Sequence, residues 1–323
     1  MFLKNFIINE AKAFLGPPRQ NYKILFLNIL GLQIVRYFFA YIKYEFFKKK
    51  DFKTSEGISL DHEGYAIVNN FLPKHDFENI LNICTKIETE NKFKVKHYGH
   101  KQVHSYDFFN NQNNDHEEAK YLKDLFIKKL NESSFMYDVA KIIKIKKMPI
   151  KNLSYEKIIA KHGFVDKGDI DAEFHSDRFY PCIKMFFYLN DNKIENGAFE
   201  YIKKSNNFSI HRMIHEYWYS IFICGNFFFL NLMKLFGYEI KNERVTFVAA
   251  KIDKIFGKDS IIACEAPKNS LVICNNKGFH KRGRLTSNTT RLHLRINLYD
   301  LQISKVKSSM FYFAKKFKNN YLA

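Results

Sequence analysis

Phe174-His175-Ser176-Asp177 is the stretch of this 323-residue chain whose residue types and spacing could do chemistry. On an extended strand alternate side chains share a face, so His175 and Asp177 can aim at one ion. The plainer alternative is a strand-end histidine hydrogen-bonded to a nearby acid, and one His-x-Asp among 12 histidines and 33 acids decides little. A downstream partner sharpens it. Gly278-Phe279-His280-Lys281-Arg282-Gly283 offers a third ligand, 105 residues after His175, and Arg291 follows eleven residues past His280. Two histidines and a carboxylate make the facial triad that holds Fe(II) and leaves coordination positions open. Those positions suit a bidentate 2-oxo acid and dioxygen, and an arginine fork suits the distal carboxylate of 2-oxoglutarate. For Arg291 the plainer alternative is a solvated or ion-paired strand arginine.

Strands must carry these residues, and the pattern supplies them. From about residue 150 apolar and β-branched runs are separated by turn signals, predicting strands over 152–160, 173–177, 183–189, 198–202, 270–274 and 290–299. In the last of these Leu292, Leu294, Ile296 and Leu298 share one face. Arg291, His293, Arg295, Asn297 and Tyr299 share the other, which needs polar company such as a pocket with an anionic ligand. Residues 191–197 form a turn with an Asn-Gly step. Upstream, 61–72 reads as turn, short strand and turn. Phe77, Ile80, Leu81 and Cys84 carry helical spacing, 116–145 holds one or two helices, and 105–115 is a polar loop. An insert over 207–262 contains a second apolar run at 219–233. Helices followed by antiparallel-type strands predict a mainly β, α+β architecture, a sandwich or jelly roll with a helical front end. The expected division is an apolar helical segment over 1–50 and one domain over 51–323.

The chain is 46% hydrophobic and 17% aromatic, which excludes a disordered chain. Its net charge of +19 suggests a nucleic-acid or anionic-membrane binder without catalysis as the rival reading. Only nine of the 52 basic residues are arginine, however, and the lysines are dispersed, so no nucleic-acid partner is expected. Where lysine is the default cation, each arginine signals a need for a planar fork, and four of the nine lie within 282–295. Five cysteines (Cys84, Cys182, Cys224, Cys264, Cys274) form no CxxC pair, which fits a reducing compartment, and 1–13 does not read as a secretory signal; a cytoplasmic location is expected. Residues 24–42 carry one charge, Arg36, over nineteen positions. They read first as an amphipathic helix on the protein's own core and second as an interfacial membrane helix, helped by Lys43 and Lys48–Lys50. Asn28, Gln33 and Arg36 count against a span. Residues 48–55 read as a charged linker.

Several segments together resemble the phytanoyl-CoA dioxygenase-like branch of the Fe(II)/2-oxoglutarate-dependent oxygenases. They are DHEGYAIVNNFL (61–72), EFHSDRFYPCIKMFFYLND (173–191), ENGAFEYI (195–202), HRMIHEYWYS (211–220) and GFHKRG (278–283), completed by the strand with Arg291. The ordered set covers about residues 55–300. The resemblance implies a double-stranded β-helix (a cupin-like jelly roll), Fe(II) held by His175, Asp177 and His280, and Arg291 on the 2-oxoglutarate C5 carboxylate. It implies consumption of dioxygen and 2-oxoglutarate, release of succinate and CO2, and hydroxylation of an unactivated C–H in a small-molecule or lipid-like substrate. A carboxylate at Asp177 favours hydroxylation over halogenation. One departure is Lys203-Lys204-Ser205-Asn206, where relatives often have Pro-Gly-Ser-His, in a turn expected to rim the pocket.

Further residues have two readings each. Lys184 contacts cosubstrate or substrate, or makes a structural salt bridge. Arg282 faces an anionic substrate, or is surface charge along with Arg284. Trp218 and 219–233 are core, or cover the site as a substrate-side wall or a membrane contact. His97, His100 and His104 match no standard metal spacing and read as a pocket-side loop.

Overall fold

The computed structural model of the chain describes residues 25–46, 51–90, 93–98, 101–109, 117–145, 150, 152–160, 171–222, 230–241, 244–247, 249–285 and 289–299. Residues 1–24, the lysines at 48–50, His100, the loop 110–115, the run 223–229 with Cys224, and the side chain of Tyr299 lie outside what it describes.

Alternation of residue type builds the central sheet. In β5 (Cys182–Tyr188), Ile183, Met185 and Phe187 point to one side, and Lys184, Phe186 and Tyr188 to the other. β12 (Thr290–Tyr299) alternates likewise, with Leu294, Ile296 and Leu298 joining the same apolar layer as Met185 and Phe187. These strands pair antiparallel in register Leu294↔Phe187 and Ile296↔Met185, so both apolar faces fall on one side. With β4 (Ser154–Ala160) and β10 (Ser270–Asn275) they form the middle of a seven-stranded sheet. β1 (Tyr65–Val68) closes one edge, and the hairpin β2 (Lys94–Tyr98)–β3 (Lys101–Asp107) extends the other.

Helices cover the apolar face. In α4 (Lys74–Thr89), Phe77, Ile80, Ile83, Cys84 and Ile87 recur at helical spacing and are buried. α5 (Glu117–Glu132) contributes Leu122, Phe126 and Leu130, and α6 (Phe135–Ile142) contributes Met136, Val139 and Ile142. Together with α3 (Ser55–His62) they make the main core of the molecule against Phe187, Ile273 and Ile296.

The opposite face of the sheet meets a smaller sheet of β11 (His280–Arg282), β6 (Phe199–Ile202) and β9 (Ile261–Ala263). His175 adds a bridge to its edge by pairing with His280. Along the chain β4, His175, β5, β6, β9, β10, β11 and β12 pass between the two sheets, which is the jelly-roll winding expected from the sequence. Between β6 and β9 the chain leaves the sheets and forms α7 (Ile210–Phe222), α8 (Leu230–Leu235), the hairpin β7 (Tyr238–Lys241)–β8 (Arg244–Phe247) and α9 (Ala249–Phe256). These pack around a second apolar cluster of Trp218, Ile221, Met233, Tyr238 and Ile252.

Three expectations need correction. The strand predicted over 173–177 is reduced to the single bridge of His175 to His280, with loop on either side. The stretch around His97 and His104 is the β2–β3 hairpin rather than a loop, and the strand runs through 105–107. Its alternation was masked by lysine and histidine on both faces of an edge strand. The apolar run 24–42 is two helices rather than one, α1 (Leu25–Ile29) and α2 (Leu32–Tyr41), because Gly31 sits at φ 89° and breaks the helix. A π-helical turn, Ile42–Phe46, continues α2. Among the described residues, no helix is long and apolar enough to cross a membrane. Cys84, Cys182, Cys264 and Cys274 are buried free thiols.

Candidate metal centre

Backbone pairing, more than side-chain chance, brings the predicted ligands together. His175 N donates to His280 O and His280 N to His175 O, each at 2.9 Å, so the two rings stand side by side with centroids 4.5 Å apart. Asp177 is anchored by its own N–H to Asn276 O at 3.0 Å. The result is a cluster in which one ligand atom from each of His175, Asp177 and His280 lies within 4.8 Å of the others.

The ring nitrogens are sorted by their surroundings. His175 Nδ1 lies 2.8 Å from Glu173 O and His280 Nδ1 3.0 Å from Gly278 O. A proton on each Nδ1 satisfies those carbonyls and leaves Nε2 with its lone pair. The two Nε2 atoms lie 3.7 and 3.6 Å from the Asp177 carboxylate oxygens. Gly278 makes this turn sterically available, since a Cβ there would collide with the buried Tyr201 hydroxyl. Burial pushes the His280 imidazole below its usual range, against the pull of Asp177, so the ring is held neutral and ready to ligate.

Asp177 is fixed by two donors on one oxygen. Asn276 Nδ2 reaches Oδ2 at 2.7 Å and Lys184 Nζ reaches it at 3.0 Å. Burial alone would raise the Asp177 carboxyl, but Lys184, His280 and His175 outweigh it and hold it well below the usual range. Lys184 therefore takes the salt-bridge reading, and its partner is the carboxylate of the triad itself. Asp171 supplies a further carboxylate oxygen 3.8 Å from His175 Nε2 and pairs with Arg282 at 2.6 Å.

Between the sheets lies a cavity of about 80 Å³, walled by His175, His280, Lys184 and Arg291 among others. Phe186, Tyr188 and Phe199 form its apolar side. Arg291 stands on β12, is 5% exposed, and donates to the carbonyl of Gly197, whose positive φ of 76° turns that carbonyl inward. Next along the same face, His293 and Arg295 share Glu156 at 3.2 and 2.9 Å. Of the cations on the wall, Lys184 pairs with Asp177, Lys281 with Glu200, Arg282 with Asp171 and Arg295 with Glu156, while Arg291 donates to a carbonyl. A second chamber of about 290 Å³ shares Glu156, Ile158, Asp171, Arg282 and Arg295 with the first and is closed by Lys94, Lys96 and Val103 of the β2–β3 hairpin.

Arg282 thus lies where the two chambers meet. Trp218 does not reach either; it is 4% exposed inside the cluster around α7, and among the described residues the insert lines neither chamber. The turn Lys203–Asn206 does not rim the cavity either. Ser205 Oγ accepts from Phe279 N at 2.7 Å and Asn206 Nδ2 donates to Asp61 O at 2.9 Å, so the turn braces the loop leading to His280. Lys204 adopts φ 62°, a left-handed conformation that favours glycine.

Sequence reasoning missed Asn276 and Arg212. Arg212 is fully buried on α7 and donates to Lys277 O, Ser176 Oγ, Arg178 O and Glu216 Oε1. It thereby clasps the two loops that carry the triad. The scarcity of arginine was a signal that could have found it. Asn276 had none, because its role depends on a carboxylate 99 positions away.

The chain matches no protein-family model and no curated protein. Among solved structures it is similar to the epimerase SnoN in complex with Fe3+, alpha ketoglutarate and nogalamycin RO. The identity is 10% and the TM-score 0.48, over 76% of this chain and 82% of that one. It is similar to EctD from S. alaskensis with 2-oxoglutarate and 5-hydroxyectoine, at 10% identity and TM-score 0.48, over 79% of each chain. HygX from Streptomyces hygroscopicus with nickel, 2-oxoglutarate and hygromycin B matches at 12% identity and TM-score 0.43, over 76% and 87%.

Proposed function

We propose that this protein is an Fe(II)- and 2-oxoglutarate-dependent oxygenase that hydroxylates an unactivated C–H of a small-molecule or lipid-like substrate. The observation that carries the reading is a His-Asp-His cluster whose two histidines, His175 and His280, share the wall of one cavity with Arg291. The donor set fits the metal: the Nε2 atoms of two imidazoles and one ionised carboxylate.

His175, Asp177 and His280 would hold Fe(II), and Arg291 the far carboxylate of 2-oxoglutarate. When bound, iron, 2-oxoglutarate and dioxygen together supply an oxidative decarboxylation that yields succinate and CO2 and inserts oxygen into a C–H bond. The chain's own work is orientation. The carbonyls of Glu173 and Gly278 keep each Nδ1 protonated and each Nε2 aimed inward. Asn276 and Lys184 stop the Asp177 carboxylate from rotating. Phe186, Tyr188 and Phe199 exclude water from the cosubstrate cavity, and the larger chamber beside it would take the substrate.

The test is an anaerobic titration with Fe(II) and 2-oxoglutarate, followed by the visible metal-to-ligand charge-transfer band, then succinate release in air. The native chain should give the band and His175→Ala should not. Arg291→Gln should keep iron binding but raise half-saturation by 2-oxoglutarate roughly tenfold or more, as expected for a lost charge-assisted pair. Absence of the band in the native chain sinks the reading.

A further inference from the structure

The helices α1 and α2 invert the polarity of an ordinary surface helix. Their polar side chains point into the protein. Asn28 is fully buried and donates to Ser220 O at 2.9 Å; Gln33 donates to Glu216 Oε2 at 3.0 Å; Arg36, 5% exposed, donates to Gln33 Oε1 at 2.8 Å. The outward side carries Phe26 at 67% exposure, Leu30 at 66%, Val35 at 44% and Phe38 at 50%. A helix that borders water shows the reverse arrangement, and a patch of large exposed apolar side chains marks an interaction surface. α8 adds Leu235, 75% exposed, while its Met233 is buried in the apolar cluster that Leu25 packs against.

The charges of this stretch select the occupant. Over residues 23–50 the one acid is Glu45, paired with Lys277 at 3.0 Å. Arg36 is turned inward, which leaves Lys23, Lys43, Lys48, Lys49 and Lys50 as the charges of the segment. A second copy would bring an equally lysine-rich, acid-poor stretch of sequence against this one, because a two-fold contact is self-complementary in position and not in charge. A bilayer with anionic headgroups accepts both features: apolar side chains enter the acyl boundary, and lysines meet the headgroups. We propose that α1 and α2 dock the protein on the surface of an anionic lipid bilayer, held to the body by the Asn28 and Gln33 contacts to α7.

Full-length protein is sedimented with phosphatidylcholine–phosphatidylserine vesicles and with phosphatidylcholine alone, at low and high salt. The expected result is a preference of roughly tenfold or more for the anionic vesicles that fades at high salt. The triple variant Phe26→Ser/Leu30→Ser/Phe38→Ser, checked for native circular dichroism, should lose at least tenfold of that binding. No binding to anionic vesicles, equal binding to both, or an unaffected triple variant overturns the proposal. So does a dimer in light scattering that the variant converts to monomer, which assigns the face to a second copy. Neither arm uses iron or 2-oxoglutarate, so the outcome is independent of the catalytic reading.

Discussion

Glu156 and His293 are buried beside Arg295 on the wall of the same cavity as His175 and His280, and burial and charge set their protonation. Desolvation pushes His293 down to about 4, against the pull of Glu156, while Arg295 overrides burial to bring Glu156 down to about 2. In the unfolded chain both groups titrate higher, so it binds more protons than the folded protein between these values and the ordinary ones. Stability contributed here is therefore present above about pH 6.5, falls as pH drops toward 4 with His293, and falls further toward 2 with Glu156. The shift at His293 corresponds to about 3 kcal/mol. Denaturant unfolding across this range should show that loss, and His293→Gln should flatten the part between pH 6.5 and 4. The sequence alone exposed the polar face of this strand correctly. It did not reveal Glu156 as the partner, because Glu156 meets His293 only through the β4–β12 register.

α7 is the element on which the site depends, although none of its residues lines the cavity. Arg212 spans Ser176, Arg178 O and Lys277 O, and so ties the loop after His175 to the loop before His280. Glu216 closes the circuit, accepting from Arg212 at 2.6 Å and from Gln33 at 3.0 Å. Arg212→Gln should cost about 3–5 kcal/mol, because Glu216 is left as an unbalanced buried charge. Replacing both as Arg212→Met/Glu216→Met should recover part of that stability. Metal affinity should stay about 10–100-fold weaker in both variants, measured by titration at a temperature where each is folded. Arg212→Lys keeps the charge but not the fork, and should not restore affinity. A variant that loses stability while binding metal normally would reduce Arg212 to a packing role. At this scale the strands were legible because period-two alternation is strong in β5 and β12. The β2–β3 hairpin was not legible, because lysine, histidine and glutamine are spread over both faces of its strands and leave no apolar stripe.

Across the whole molecule the triad links loops that are far apart in sequence, and any ion it holds binds the folded chain only. Metal at a hundredfold excess over its Kd should add about 2.7 kcal/mol of stability, raising the melting temperature by several degrees. A chelator should reverse the shift, and Asp177→Ala should abolish it while also lowering the metal-free melting temperature, because Lys184 loses its buried partner. The net charge of +19 divides in the same view. Arg212, Arg282, Arg291 and Arg295 are committed to the site and its braces, whereas α1 and α2 present an outward apolar face.

By itself the sequence determined the candidate ligands, their order and the faces of β5 and β12, since each follows from residue type and local period, whereas its pattern suited a sandwich as well as a jelly roll. Tertiary structure alone decided which side of α1 and α2 faces out, that Trp218 sits away from the cavity, and that Lys184 and Asn276 share one oxygen of Asp177. Those depend on contacts between residues tens to hundreds of positions apart, and hydrophobic period in a single segment carries no information about its partner.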